Sequence, residues 1–154
     1  MTQKQAYEEF YPLIQDTGKI YYKCSLVYAR LADNNEYIET WTADGLETTN
    51  YAKFGDFVLQ NLQTYSQEEY IVSHSTFISR YKPFYCSGNG FISIPLGRIM
   101  AARYSGEEIM FLAAWGRYMV LKPGDLIVSP LPECKEVYRI AAQEFYETYE
   151  LEQD

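Results

Sequence analysis

The sequence predicts an α+β protein: an N-terminal helix, then two tandem-duplicated small antiparallel β units, each closed by a short helix. Three observations predict it. Helical spacing of apolar residues is confined to positions 1–18, everything after Gly18 breaks into short apolar runs between turn residues, and the order of those runs repeats. The expected divisions are 1–18, 19–85 and 86–154. At 154 residues and 47% hydrophobic content the chain can build one compact domain with a sizeable core.

The helix comes first. In "TQKQAYEEFYPLIQDT", Thr2 is a capping residue, Ala6, Phe10, Leu13 and Ile14 share one face, and Gly18 ends the run. Pro12 removes a backbone donor, so a break or a second short helix is expected near Tyr11. Strands then follow. "IYYKCSLVYARL" (20–31) and "EYIETWT" (36–42) read as strands, with "DNN" and "ADG" as turns. Next come the turn Lys53-Phe54-Gly55-Asp56, the strand "FVLQN", the strand "EYIVS" and a short helix in "HSTFISRY", capped by Ser73 or Ser75.

The second half retraces this order. "RIMAARY", "IMFLAAW" and "YMVLKPGDLIVSP" read as strands and turns, and "EVYRI" precedes the closing helix in "AAQEFYETYE". Lys53, Gly55 and Asp56 align with Lys122, Gly124 and Asp125; Tyr70, Phe77 and Tyr81 align with Tyr138, Phe145 and Tyr149. Lys-Pro-Gly-Asp suits a type II turn, in which proline presets the second φ and glycine accepts the positive third. The aspartate is placed to accept backbone N–H groups. Phe77 and Phe145 are the expected inward residues of the closing helices.

The strings "NYAKFGDFVLQN…EEYIVSHSTFISRY" and "YMVLKPGDLIVSP…EVYRIAAQEFYETYE" resemble the PGDYG family of small bacterial and phage domains, twice over. The resemblance covers 19–82 and 98–150, although neither copy has the full signature, reading "FGDF" and "PGDL". It implies a fold unit and brings no catalytic residues and no cofactor.

Composition narrows the function. A net charge of −8, with 13 basic against 21 acidic residues and no basic run, disfavours nucleic acid and is compatible with a basic protein partner. No apolar run reaches membrane-spanning length, and "MTQKQAYEEF" lacks the order of a secretory signal, so a cytoplasmic protein without a membrane partner is expected. Three dispersed cysteines, Cys24, Cys86 and Cys134, form neither a disulfide framework nor a zinc motif. The single histidine, His74, rules out multi-histidine metal sites and reads as a surface or capping residue. No metal and no catalytic residue is therefore assigned.

Two chemical readings remain. Cys86 in "YCSGNGF" is the best nucleophile candidate if it met His74, with glycine-rich backbone supplying oxyanion donors. The plainer reading makes "CSGNG" the flexible linker between repeats. Asp56 and Asp125 could meet as an acid–base pair, but turns of this kind sit at separate sheet ends. Glu68-Glu69, Glu107-Glu108 and the tail "YETYELEQD" read as solvated faces. Sixteen tyrosines suit core edges and interfaces. The expected function is a non-catalytic interaction or regulatory module that binds a protein or itself. The alternative is a small-ligand binder or enzyme using Arg30, Asp56, Arg103 and Asp125 where the repeats meet.

Overall fold

The structure, a computed structural model, describes residues 1–43 and 45–152. Asp44 of the expected "ADG" turn and the final two residues of the tail, Gln153 and Asp154, lie outside them. The fold is α+β, with an N-terminal helix, two further short helices and mostly antiparallel sheets. The chain divides into two compact units. One comprises 1–22 with 97–154, the other 23–96. The repeats read from sequence run along the chain, whereas the first unit is assembled from both its ends.

The first unit opens with α1 (Gln3–Thr17). Thr2 and Gln5 form a reciprocal capping box: the Gln5 N–H donates to Thr2 Oγ1 (3.1 Å) and the Thr2 N–H to Gln5 Oε1 (2.8 Å). The helix runs unbroken through Pro12, contrary to the expected break. Ala6, Phe10 and Ile14 are buried on either side of the proline, while Pro12 and Glu8 are exposed. The carbonyl deprived of its donor is thus on a solvated face, and the buried stripe holds the helix together.

Behind α1 lies a five-stranded sheet in the order β13-β12-β9-β1-β14. Its strands are β1 (Lys19–Lys23), β9 (Arg98–Arg103), β12 (Leu126–Pro130), β13 (Tyr138–Ile140) and β14 (Tyr149–Leu151). One face carries Ile99, Ala101, Leu126 and Val128 against Phe145 of α3 (Ala142–Thr148). The other carries Ala102 and Ile127 against α1, with Phe111 and Leu121 from the hairpin β10 (Ile109–Leu112) and β11 (Tyr118–Leu121). Both faces are covered, so every residue of β12 is buried and its sequence, Leu-Ile-Val-Ser-Pro, shows no polar alternation. Gln3 ties the helix start to the loops, donating to the Leu112 and Val137 carbonyls and accepting from the Val137 N–H.

The second unit has its own five-stranded sheet, in the order β6-β5-β2-β8-β7. Its strands are β2 (Val27–Leu31), β5 (Phe57–Asn61), β6 (Glu69–Val72), β7 (Tyr81–Ser87) and β8 (Gly90–Pro95). Val27, Ala29, Phe57 and Leu59 pack against Phe77 of α2 (His74–Arg80), which Ser73 caps. The opposite face has no helix. There the hairpin β3 (Tyr37–Thr42) and β4 (Gly45–Tyr51) contributes Ile38, which packs with Ala32, Ala52 and Val58. Thr40 fastens the hairpin by donating to the Glu69 carbonyl (2.7 Å).

Two further expectations are corrected. The apolar run 20–31 is two strands, interrupted at Cys24-Ser25-Leu26, because residues 19–22 pair with β9 while 27–31 pair with β5 and β8. The "CSGNG" stretch is no linker. Cys86 and Ser87 finish β7, Gly88-Asn89 turn, and Gly90 begins β8 in the same sheet. Gly90 is dictated by crowding, since a Cβ there would stand 2.3 Å from the Ala29 carbonyl oxygen.

The glycine–aspartate corners form as expected. The N–H of Asp56 donates to the Lys53 carbonyl, and that of Asp125 to the Lys122 carbonyl, each at 3.0 Å. Gly55 and Gly124 adopt φ of 89° and 93°. Gly124→Ala is therefore expected to lower stability by about 1–2 kcal/mol. Gly97→Ala, with open space around its Cβ position and no positive φ, is expected to be neutral or slightly stabilising. Urea midpoints of the two variants measure the difference.

Candidate interaction surface

Strand alternation in β3 turns Ile38 and Thr40 inward and leaves Tyr37, Glu39 and Trp41 outward. Tyr51 pairs with Tyr37, their ring centroids 5.0 Å apart. A register shift after Thr40 sets Leu46 rather than Glu47 opposite Trp41. The outer face of this hairpin is consequently a stripe of Tyr51, Tyr37, Trp41 and Leu46 with one carboxylate, Glu39, along it. Trp41 is 51% exposed, and Phe54 in the corner just beyond β4 is 93% exposed. The hairpin of the first unit behaves alike. Phe111 and Leu121 are buried, while Met110, paired with Val120, and Leu112, paired with Tyr118, make an outer face without a charge. Two separate hairpins thus each present adjacent apolar side chains on an outward face.

Of the polar groups singled out in the sequence, Arg30, Asp56 and Asp125 are engaged in building the fold. In the second unit Arg30 holds Glu36 through two bonds, Nη1–Oε1 at 3.0 Å and Nη2–Oε2 at 2.6 Å, with Glu69 at 3.9 Å. Glu36 Oε1 also accepts the Asp33 N–H (3.0 Å), closing the loop between β2 and β3. The bonds from Arg30 hold the Glu36 carboxyl below the usual carboxylate range, and the same contact raises the guanidinium of Arg30. Asp56 Oδ2 accepts the Lys53 N–H (2.8 Å). In the first unit Asp125 Oδ2 accepts the Lys122 N–H (2.8 Å) and Arg139 Nε–H (2.8 Å), with both side chains only 6% exposed. Arg103 is exposed. The two arginines are also out of step: Arg30 opposes Val58 and Arg103 opposes Leu126, one position nearer the corner. A shift of one residue turns a side chain to the other face, so they are not equivalent.

Further polar clusters were not legible as such. Glu68, expected on a solvated face, is buried: Oε1 accepts Asn61 Nδ2–H and Oε2 accepts the Thr64 hydroxyl, each at 2.6 Å. The acidic tail is tied down through Glu152, since Arg98 donates to its carboxylate (2.7 Å), and through Glu150, which accepts the Tyr22 hydroxyl (2.6 Å). Lys23 donates to the hydroxyls of Tyr70 and Tyr81, both at 3.2 Å. Burial pushes the Tyr70 phenol well up despite the nearby ammonium, and its hydroxyl lies 3.1 Å from that of Tyr81. The signal for Arg139 was present: it is the lone charge in the strand Tyr138–Ile140, beside a buried aspartate corner.

His74 begins α2 with its ring 5.9 Å from that of Phe57, and Cys86 lies exposed in β7 opposite Phe91. Among the described residues no three of His, Cys, Asp and Glu stand close enough to hold a metal ion, and no helix is long and apolar enough to cross a membrane. No family model, curated protein or solved structure matches the chain.

Arg139→Ala leaves the Asp125 carboxylate buried without its guanidinium and is expected to cost about 3–5 kcal/mol. The double variant Asp125→Asn/Arg139→Met is expected to recover part of that loss in urea denaturation. At Arg30–Glu36 the pH dependence has a definite sign. The folded carboxyl sits below its unfolded value of about 4.3, so the stabilisation is complete above that pH and is lost as pH falls through the folded value. Arg30→Met is expected to flatten the acid limb of the stability curve below about pH 4.3, read from thermal midpoints across pH.

Proposed function

We propose that the protein is a non-catalytic interaction module that grips a protein partner with the outer faces of its β-hairpins. One observation carries the reading: Tyr37, Trp41, Leu46 and Tyr51 share an exposed face in a unit whose inward positions are filled by other apolar side chains. Aromatic residues of this kind anchor interfaces, because they bring large contact area at little conformational cost. Glu39 within the stripe and a net charge of −8 favour a partner whose contact surface is basic at its rim. The ligand-site alternative draws on Arg30 and Asp125, both already held by oppositely charged partners, and is the weaker reading.

The same reading includes an origin by tandem duplication of a PGDYG-like unit. Its support is register. Phe57, Leu59, Tyr70 and Val72 pair as Leu126, Val128, Tyr138 and Ile140 do, and Phe77 and Phe145 lead the same small cores. The corners share their hydrogen bonds as well as their glycines.

The interaction reading is tested with Trp41→Ser/Tyr51→Ser. Being exposed, these changes are expected to move stability by no more than about 0.5 kcal/mol each. Immobilised wild-type protein is expected to retain from native lysate, in a salt-sensitive manner, a protein that the variant fails to retain. Identical retained sets by mass spectrometry would overturn the proposal.

A further inference from the structure

We propose that the chain is a covalently fused, strand-exchanged pair, in which the first strand of each repeat completes the sheet built by the other. This rests on the repeat reading and is independent of the hairpin surface. Taken as repeats that divide at the Gly88-Asn89 turn rather than at the expected 85/86, which would cut β7, β1 opens the first and β8 opens the second. β1 lies between β9 and β14, both from the second repeat, and β8 lies between β2 and β7, both from the first. The exchange is reciprocal and in register. Ala29 in β2 is flanked by Leu59 and Phe91, and Ala101 in β9 by Val128 and Lys19, so Phe91 and Lys19 occupy matching places in the two sheets.

The connections explain why the strands cross rather than fold back. Since β2 and β8 run antiparallel, β1 could in principle have paired with its own β2 as a simple hairpin. The link between them is Cys24-Ser25-Leu26, and that between β8 and β9 is Leu96-Gly97. Two-residue hairpins favour Asn-Gly or a leading glycine, and three-residue ones place a glycine in the left-handed position. Neither link has that chemistry. The link that does, Gly88-Asn89 with Gly88 at φ 57°, is the one that closes a hairpin, and it is also the junction between the repeats. Short connectors unsuited to turning are the ones that favour exchange.

The consequence is that neither unit is self-sufficient within one repeat. The exchanged strand is internal to its sheet, so its loss would open two unpaired edges at once. An unfused repeat would need a second copy of itself, each donating its first strand to the other. The fused chain carries both copies and satisfies the exchange internally.

The test is to insert a protease site between Gly88 and Asn89 in the full chain and cleave it while folded. Fragments 1–88 and 89–154 are expected to co-elute at the size of the uncut protein. The thermal midpoint of the cleaved form is expected to fall on tenfold dilution, while that of the uncut form stays constant. Fragments that part under native conditions, or a cleaved midpoint indifferent to dilution, would overturn the proposal. Should the inserted site prevent folding, native-state hydrogen exchange on the unaltered chain decides it. Amides of β1 are expected to open with those of β9 and β12, and amides of β8 with those of β2 and β5. Grouping of β1 with β2 and of β8 with β9 would sink it.

Discussion

Each five-stranded sheet is organised from one backbone corner, in which a glycine accepts a φ that other residues resist and the next aspartate collects the hydrogen bonds released by the turn. The Asp125 carbonyl accepts the Tyr104 N–H and the Tyr104 carbonyl accepts the Gly124 N–H, both at 2.8 Å, which welds the end of β9 to the start of β12. The Asp56 carbonyl accepts the Ala32 N–H (2.9 Å) in the same way at the end of β2. Register in a sheet is all or nothing, because a slip of one residue sends every side chain to the wrong face. The corner fixes the central ladder, and the inward sets Phe57–Leu59 and Leu126–Val128 follow from it. The aspartates therefore matter to folding through their backbone and carboxylate bonds.

From that common frame the units diverge in how they cover the second face of the sheet. The first has α1, and its sheet can present small or aliphatic residues there, Ala102 and Ile127. The second has a hairpin that lengthens and fastens to β6 through Thr40, with the Arg30–Glu36 pair filling the same side. A two-stranded cover buries one of its own faces and must leave the other outward. The exposed aromatics of β3 and β4 are thus sited where the architecture has a free face to offer, and that face need satisfy no internal packing demand.

Much of this was legible in residues and some was not. The α+β class, the capped helix, the corners and the inward Phe77 and Phe145 could be read because each rests on local chemistry: capping, a positive φ, a period. The continuous strand over 20–31 was misread because periodicity records burial and is blind to a change of partner at Cys24. The "CSGNG" turn was misread because flexibility and tight reversal draw on the same residues, and only the pairing of Ser87 with Gly90 separates them. Burial of Glu68 depends on Asn61 and Thr64 reaching it, a tertiary fact with no signature in an acidic pair.

Composition offers aromatic residues for a surface without placing them, and the reason is physical. Sixteen tyrosines announced either core edges or contacts, and alternation alone assigns Tyr37 and Trp41 to one face of β3 without saying which face is wet. What decides it is the second unit's economy of cover. Ile38 is the larger inward apolar residue of β3, Val58 beneath it is fully buried, and Thr40 is spent on a backbone carbonyl. With that inner face complete, turning Trp41 inward would displace a finished core. The tryptophan is outward because alternation along β3 puts it on the face opposite Ile38 and Thr40, the two side chains that are buried.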